Sequence, residues 1–269
     1  MRRRELLGGL GVVGTAGLAG CSTDRIAPDS TPEEKQRHLS QMPWPTVTEP
    51  HGDWERTDTL SRYLGQRLGV HTYQKTVLLE NTAVNRNIES KANGQFDRTL
   101  GQFFATYVDL EGLMTSAATP SMIADRVEPQ IRNQMEEVGI EGVSPVEPTS
   151  PLPDIDGETR AVAGHYVAPA FEQTAHIDGI GEVTVGFPSK RLSIRGFATI
   201  WKEKSGVAFA AGGVVPTTDY EGRSRTSLTS EKGDGIDLVV DVDMNIPYRR
   251  MRDEIVEMAE SVEAGPSSL

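Results

Sequence analysis

The sequence predicts an α+β fold, a mainly antiparallel β-sheet packed by two or three amphipathic helices, behind a signal peptide and a flexible tether. Three observations carry that expectation. Between residues 159 and 215 the chain reads strand after strand, with short turn signals between them. Inside that run Leu192, Ile194, Ala198 and Ile200 alternate with Arg195, Phe197, Thr199 and Trp201, the period of two that an antiparallel sheet imposes. Helical spacings bracket the run instead of interleaving with it, which is the order of an α+β domain.

The elements follow in order. Asp58 is a candidate N-cap for a first helix, with Leu60, Tyr63, Leu64 and Leu68 at helical spacing and Gly69 as its stop. Residues 70–79, rich in Val, Thr, Tyr and Leu, read as a strand. The polar stretch 80–99 contains Asn93-Gly94 and reads as the turn of a hairpin whose return strand is 102–110. Thr119-Pro120 opens a second helix by the cap-then-proline rule. Its inward stripe is Ile123, Val127, Ile131, Met135 and Val138, ended by Gly139, with Pro129 predicting a kink or break.

Prolines at 145, 148, 151 and 153 make 142–157 an extended surface loop. Strands are predicted at 159–168, 171–178, 182–187, 191–203, 207–215 and 236–244, with Lys204-Ser205-Gly206 as a hairpin turn. The polar segment 217–235 reads as a long mobile loop. Pro247 opens a last helix with Met251, Ile255, Met258 and Val262 facing inward. The order of two strands, helix, several strands and helix is similar to the PsbP and Mog1 type of sandwich. That likeness implies a topology and carries no function.

The N-terminus specifies an address. Arg2-Arg3-Arg4 precedes a weakly apolar segment, 6–20, of 15 residues with five glycines from Gly8 to Gly17, too short for a confident membrane span. Arg3-Arg4-Glu5-Leu6-Leu7 resembles the Arg-Arg-x-Phe-Leu signal of twin-arginine export, and Leu18-Ala19-Gly20-Cys21 resembles a lipobox. The resemblance implies cleavage before Cys21, a lipid on its thiol, and residence on the extracellular face of the cell membrane. The twin-arginine translocase and the membrane are then the implied partners. The domain boundaries expected are a signal at 1–20, a tether at 21–53, one globular domain at 54–262 and a disordered tail at 263–269. Gly9-Leu10-Gly11-Val12-Val13-Gly14 imitates a dinucleotide fingerprint, but no strand can precede it to form the βαβ unit that fingerprint needs.

Cys21 is the one cysteine, so a lipidated chain has no thiol left for catalysis, disulfides or thiolate metal sites. Seven lysines and 20 arginines stand against 39 acids. Removing residues 1–20, with three arginines and one glutamate, takes the net charge from −12 to −14. Such a surface repels nucleic acid and anionic headgroups, and molar salt relieves its self-repulsion. Acidic, lysine-poor, exported by twin arginines and lipidated, the chain resembles the secreted lipoproteins of salt-loving archaea.

Catalytic signatures are missing from the mature sequence: it has no Gly-x-Ser-x-Gly elbow, zinc-protease helix or phosphate loop. His176 and Asp178 share one strand face and His165 lies on the neighbouring predicted strand, a set that is either a metal site or structural; the structural role is expected. Asp241-Val242-Asp243-Met244-Asn245 opens like a calcium loop but has Ile246 where glycine is required and Arg252 where a bidentate glutamate belongs, so it reads as the wet face of a strand. Arg249, Arg250 and Arg252 stand out at a helix N-terminus, where cations are slightly unfavourable. They read either as holders of a carboxylate or phosphate, or as partners of Asp253 and Glu254 at four-residue spacing. The second is the expected reading. The function expected is a non-catalytic envelope protein, without a cofactor, binding a small ligand or another surface protein. The alternative is a hydrolase or metal-dependent enzyme with a site assembled from scattered residues.

Overall fold

The computed structural model describes residues 31–67, 70–96, 99–112, 119–137, 139–148, 155–178, 180–229 and 235–268. The expected tether contains regular structure. Helix α1 (Pro32–Gln41) starts at a capping box in which Thr31 and Glu34 each bond the other's backbone N–H, at 2.7 and 3.2 Å. It buries Leu39, and Met42 beyond it is buried too. Strand β1 (Pro45–Thr46) then pairs with residues 263–264, so neither the 21–53 segment nor the 263–269 tail is free of structure.

The predicted first helix is a strand, β2 (Trp54–Arg67), paired along its length with β3 (Val70–Asn81). Leu60 lies opposite Thr76 and Tyr63 opposite Tyr73, three residues apart, so the two side chains sit on opposite faces. The helix-like spacing is thus the sum of two half-covered strand faces and of register shifts near residues 57 and 64. The predicted hairpin turn is a helix, α2 (Thr82–Lys91), capped by the Asn81 side chain on Val84 N at 3.0 Å. Asn93 (φ 49°) and Gly94 (φ 71°) end that helix in left-handed conformations, the same property that suggested a tight turn.

Strand β4 (Gln102–Gly112) follows, then α3 (Pro120–Glu137), which runs unbroken through Pro129. Burial of Ala124, Ile131 and Met135 offsets the lost backbone hydrogen bond. Val138 lies outside the described residues. The expected loop at 142–157 holds β5 (Ile140–Val146), which tolerates Pro145 because it is a sheet edge. Strands β6 (Gly157–Ala168), β7 (Phe171–Ile177), β8 (Gly181–Phe187), β9 (Lys190–Lys204) and β10 (Val207–Pro216) lie close to their predicted positions. The expected mobile loop contains β11 (Glu221–Thr229), hairpinned to β12 (Gly235–Asp243). Helix α4 (Tyr248–Glu260) and β13 (Glu263–Ala264) close the chain.

Seven strands form an antiparallel sheet in the order β2-β3-β4-β10-β9-β6-β5, with β7–β8 and β11–β12 as separate two-stranded ribbons. Two close approaches fix the layers. A Cβ on Gly196 of β9 would lie 2.9 Å from Met135 Sδ of α3, and one on Gly213 of β10 would lie 2.7 Å from Ile255 Cδ1 of α4. Gly213 is paired with Phe197, the neighbour of Gly196, so α3 and α4 cover opposite faces. The central strands are buried on both sides, and β10 has no exposed residue. The alternation read in 192–201 therefore marks two covered faces, with Phe197 and Thr199 as buried as Leu192.

Candidate functional site

Helix α4 divides its circumference among three tasks. Met251, Ile255, Met258 and Ala259 are fully buried against the sheet. On one flank Arg250 bonds Glu254 at 2.6 Å and also reaches Asp53. Glu254, itself 3 % exposed, accepts from Trp54 Nε1 at 2.8 Å. The hydrogen bond to Glu254 is the main reason the Arg250 guanidinium is held above its usual pKa. This is the local pairing the sequence suggested, extended to the entrance of β2.

On the other flank Tyr248, Arg249, Arg252 and Val256 fall within about 100° of helix circumference, and all four line a cavity of ≈ 200 Å³. Its floor is the α4 side of the sheet. Ala161, Arg195, Phe197 and Val215 share that face because Phe197 pairs with Ala161 and Val215 with Arg195. Pro148, Pro216 and Thr217 complete the lining. Thr217 is pinned by a bond from its N–H to Ser193 O at 2.7 Å. Three arginines line this space, and among the described residues no carboxylate does.

The expected pairing of Arg249 with Asp253 is not formed. Asp253 accepts from Arg252 instead, at 2.7 Å, while the Arg249 guanidinium carbon lies 5.9 Å from the Tyr248 ring centre. Among the described residues Arg249 meets no carboxylate. Arg195 donates to Glu147 O at 3.2 Å, beside Pro148 on the rim. Pro247, at the N-cap of α4, has no side chain to accept from the first-turn N–H groups, and no acidic residue sits in that turn. Arg195 and Phe197 were missed as site residues, although a charge beside Phe197 on a strand face was the visible signal. A second cavity, ≈ 30 Å³, lies under Ile140, Tyr166, Ile194 and Val214 and is water-sized.

The histidine set does not assemble. His165 is exposed on β6 in the main sheet, whereas His176 stands on β7 in a separate ribbon, because the chain leaves the sheet between Ala168 and Phe171. His176 and Asp178 are 4.0 Å apart and largely exposed. Among the described residues no group of three or more His, Cys, Asp or Glu is placed to hold a metal. Asp241 pairs with Arg223 across the β11–β12 ribbon at 2.6 Å, and Asp243 caps Asn245 N at 2.8 Å. Arg3, Arg4 and Cys21 lie outside the described residues, and no described helix is long and apolar enough to cross a membrane. No family model, curated protein or solved structure matches this chain.

Proposed function

We propose that this chain is a non-catalytic, lipid-anchored protein of the extracellular face of the cell membrane, and that it binds a small ligand in the cavity beside α4. The N-terminal motifs support the address: Arg3-Arg4 for twin-arginine export and Cys21 for the lipid. One observation carries the binding role. A chain with 39 acids places three arginines and, among the described residues, no carboxylate around one apolar-walled cavity. Concave, mostly apolar sites with a few polar groups are where small ligands bind, and an engineered apolar cavity of about 150 Å³ already holds a benzene ring.

Mass spectrometry of full-length protein purified from membranes in high salt tests both halves. The expected result is an N-terminal peptide beginning at Cys21 with its mass increased by lipid, together with a co-purifying small molecule. Ala161→Phe, which fills the cavity floor, should lose that molecule and keep the lipid. A full-length precursor with unmodified Cys21 would overturn the anchor. Equal amounts of the molecule in both proteins would overturn the cavity as its site.

A further inference from the structure

We propose that the cavity beside α4 selects an organic carboxylate on an apolar body of about one ring, an inference that rests on reading that cavity as the binding site. Charge sets the sign. Arg195, Arg249 and Arg252 line the space; Asp253 accepts from Arg252, while among the described residues Arg249 meets no carboxylate. Arg195 is held at the rim by a neutral carbonyl, and Arg249 contacts a ring face. A cationic ligand would face the Arg249 guanidinium as a like charge; an anionic one pairs with it. The α4 N-terminus adds partial positive charge from first-turn N–H groups that no side chain caps.

The walls set the rest of the ligand. Phe197, Val215, Val256, Tyr248, Pro148 and Pro216 offer no charge to a solute. A small inorganic anion would gain only the arginine contact and lose hydration against these walls, whereas an apolar body also gains by leaving water. A planar guanidinium matches the two oxygens of a carboxylate with parallel hydrogen bonds, which fixes the head while the body packs. Arg250 does not contribute, since Glu254 and Asp53 occupy it on the other flank of the helix.

Calorimetric or NMR titration of the full chain at one fixed salt concentration tests this with benzoate, benzamide, benzylammonium, phenyl phosphate and inorganic phosphate. Benzoate should bind at least about ten-fold more tightly than benzamide, equivalent to ~1.4 kcal/mol, and benzylammonium and inorganic phosphate should not saturate. Arg249→Gln should bring benzoate down to the level of benzamide, while Arg223→Gln, on the distant ribbon, should keep the preference. Equal affinities for benzoate and benzamide, or a ten-fold preference for phenyl phosphate, would overturn the carboxylate selection and leave the cavity as a binding site. Failure of every ring compound to bind, or benzoate binding undiminished in Ala161→Phe, would overturn the cavity reading itself and the selection with it.

Discussion

Arg249 and Arg250 are chain neighbours whose side chains serve opposite flanks of α4, and that separation makes a direct test at the residue scale. The half-exposed Arg250 shares the buried Glu254 with the buried Trp54 indole. Removing Glu254 leaves Arg250 to Asp53 but strands the Trp54 Nε1–H. Glu254→Ala is expected to destabilise the protein by about 2 kcal/mol, measured by urea denaturation followed through tryptophan fluorescence. Arg249 is exposed and has no carboxylate to strand among the described residues, so Arg249→Gln should change stability by less than ~0.5 kcal/mol. Equal losses in the two variants would mean that Arg249 is a structural residue and that the cavity charge is incidental. Lys75 shows the same logic in the opposite corner: 2 % exposed, it donates to Met42 O at 2.7 Å and Ser267 O at 3.1 Å, joining the two ends of the described chain. Burial lowers its pKa, and these carbonyls offset the burial of its charge.

At the scale of elements, β11–β12 is the piece held most by charge. Arg223 pairs with Asp241, and Arg225 and Ser227 both bond Asp237, on a ribbon whose outer positions are exposed. Those hydrogen bonds hold both aspartates below their usual pKa. A carboxylate lowered in the folded state contributes stability above its unfolded value of about 4 and loses it as pH falls through the folded value. Amide protection in β11 and β12, corrected for the intrinsic exchange rate, should therefore fall below about pH 4, ahead of the central strands. Exchange in the ribbon that tracks β9 and β10 at every pH would show that the ribbon does not open by itself. The proline-bearing edge β5 and the bulged edge β2 also depart from plain alternation, and both lie where a sheet must discourage further pairing.

For the whole molecule, net charge is the dominant fact. The chain at −12, or −14 after the proposed cleavage, repels itself in dilute buffer, and salt screens that repulsion over a Debye length that falls from ~10 Å at 0.1 M to ~3 Å at 1 M. The melting temperature should rise by at least ~3 °C between about 0.1 and 2 M KCl, equivalent to ~1 kcal/mol for a domain of this size. A flat or falling profile would remove the halophilic reading. The docking of α1 also shortens the proposed tether. From Cys21 to Thr31 is ten residues, which span at most ~36 Å however they are arranged. The proposed lipid thus keeps the start of α1 within that distance of the membrane surface.

Local chemistry was legible wherever one cause decides the outcome. Runs rich in β-branched, aromatic and aliphatic residues and bounded by turn residues mark β3, β4 and β6 to β10 and β12, and a proline-opened amphipathic stretch marks α3 and α4. The arginines of 249–252 were picked out because guanidinium at a helix start is locally unfavourable and needs a reason. The errors have one origin. Strand 54–67 imitated a helix because it is half-covered on both faces, residues 82–91 formed a helix on a cap rather than a conspicuous apolar stripe, and the polar 221–229 segment became a strand by pairing with 235–243. Each was settled by a partner distant in the chain or by coverage that no local pattern encodes. The site divides the same way. Residue types at 249, 250 and 252 are properties of the sequence, but their separate duties follow from which flank of α4 meets Glu254 and Trp54 and which meets Arg195 and Phe197, because contact across some fifty residues or more is created by packing alone.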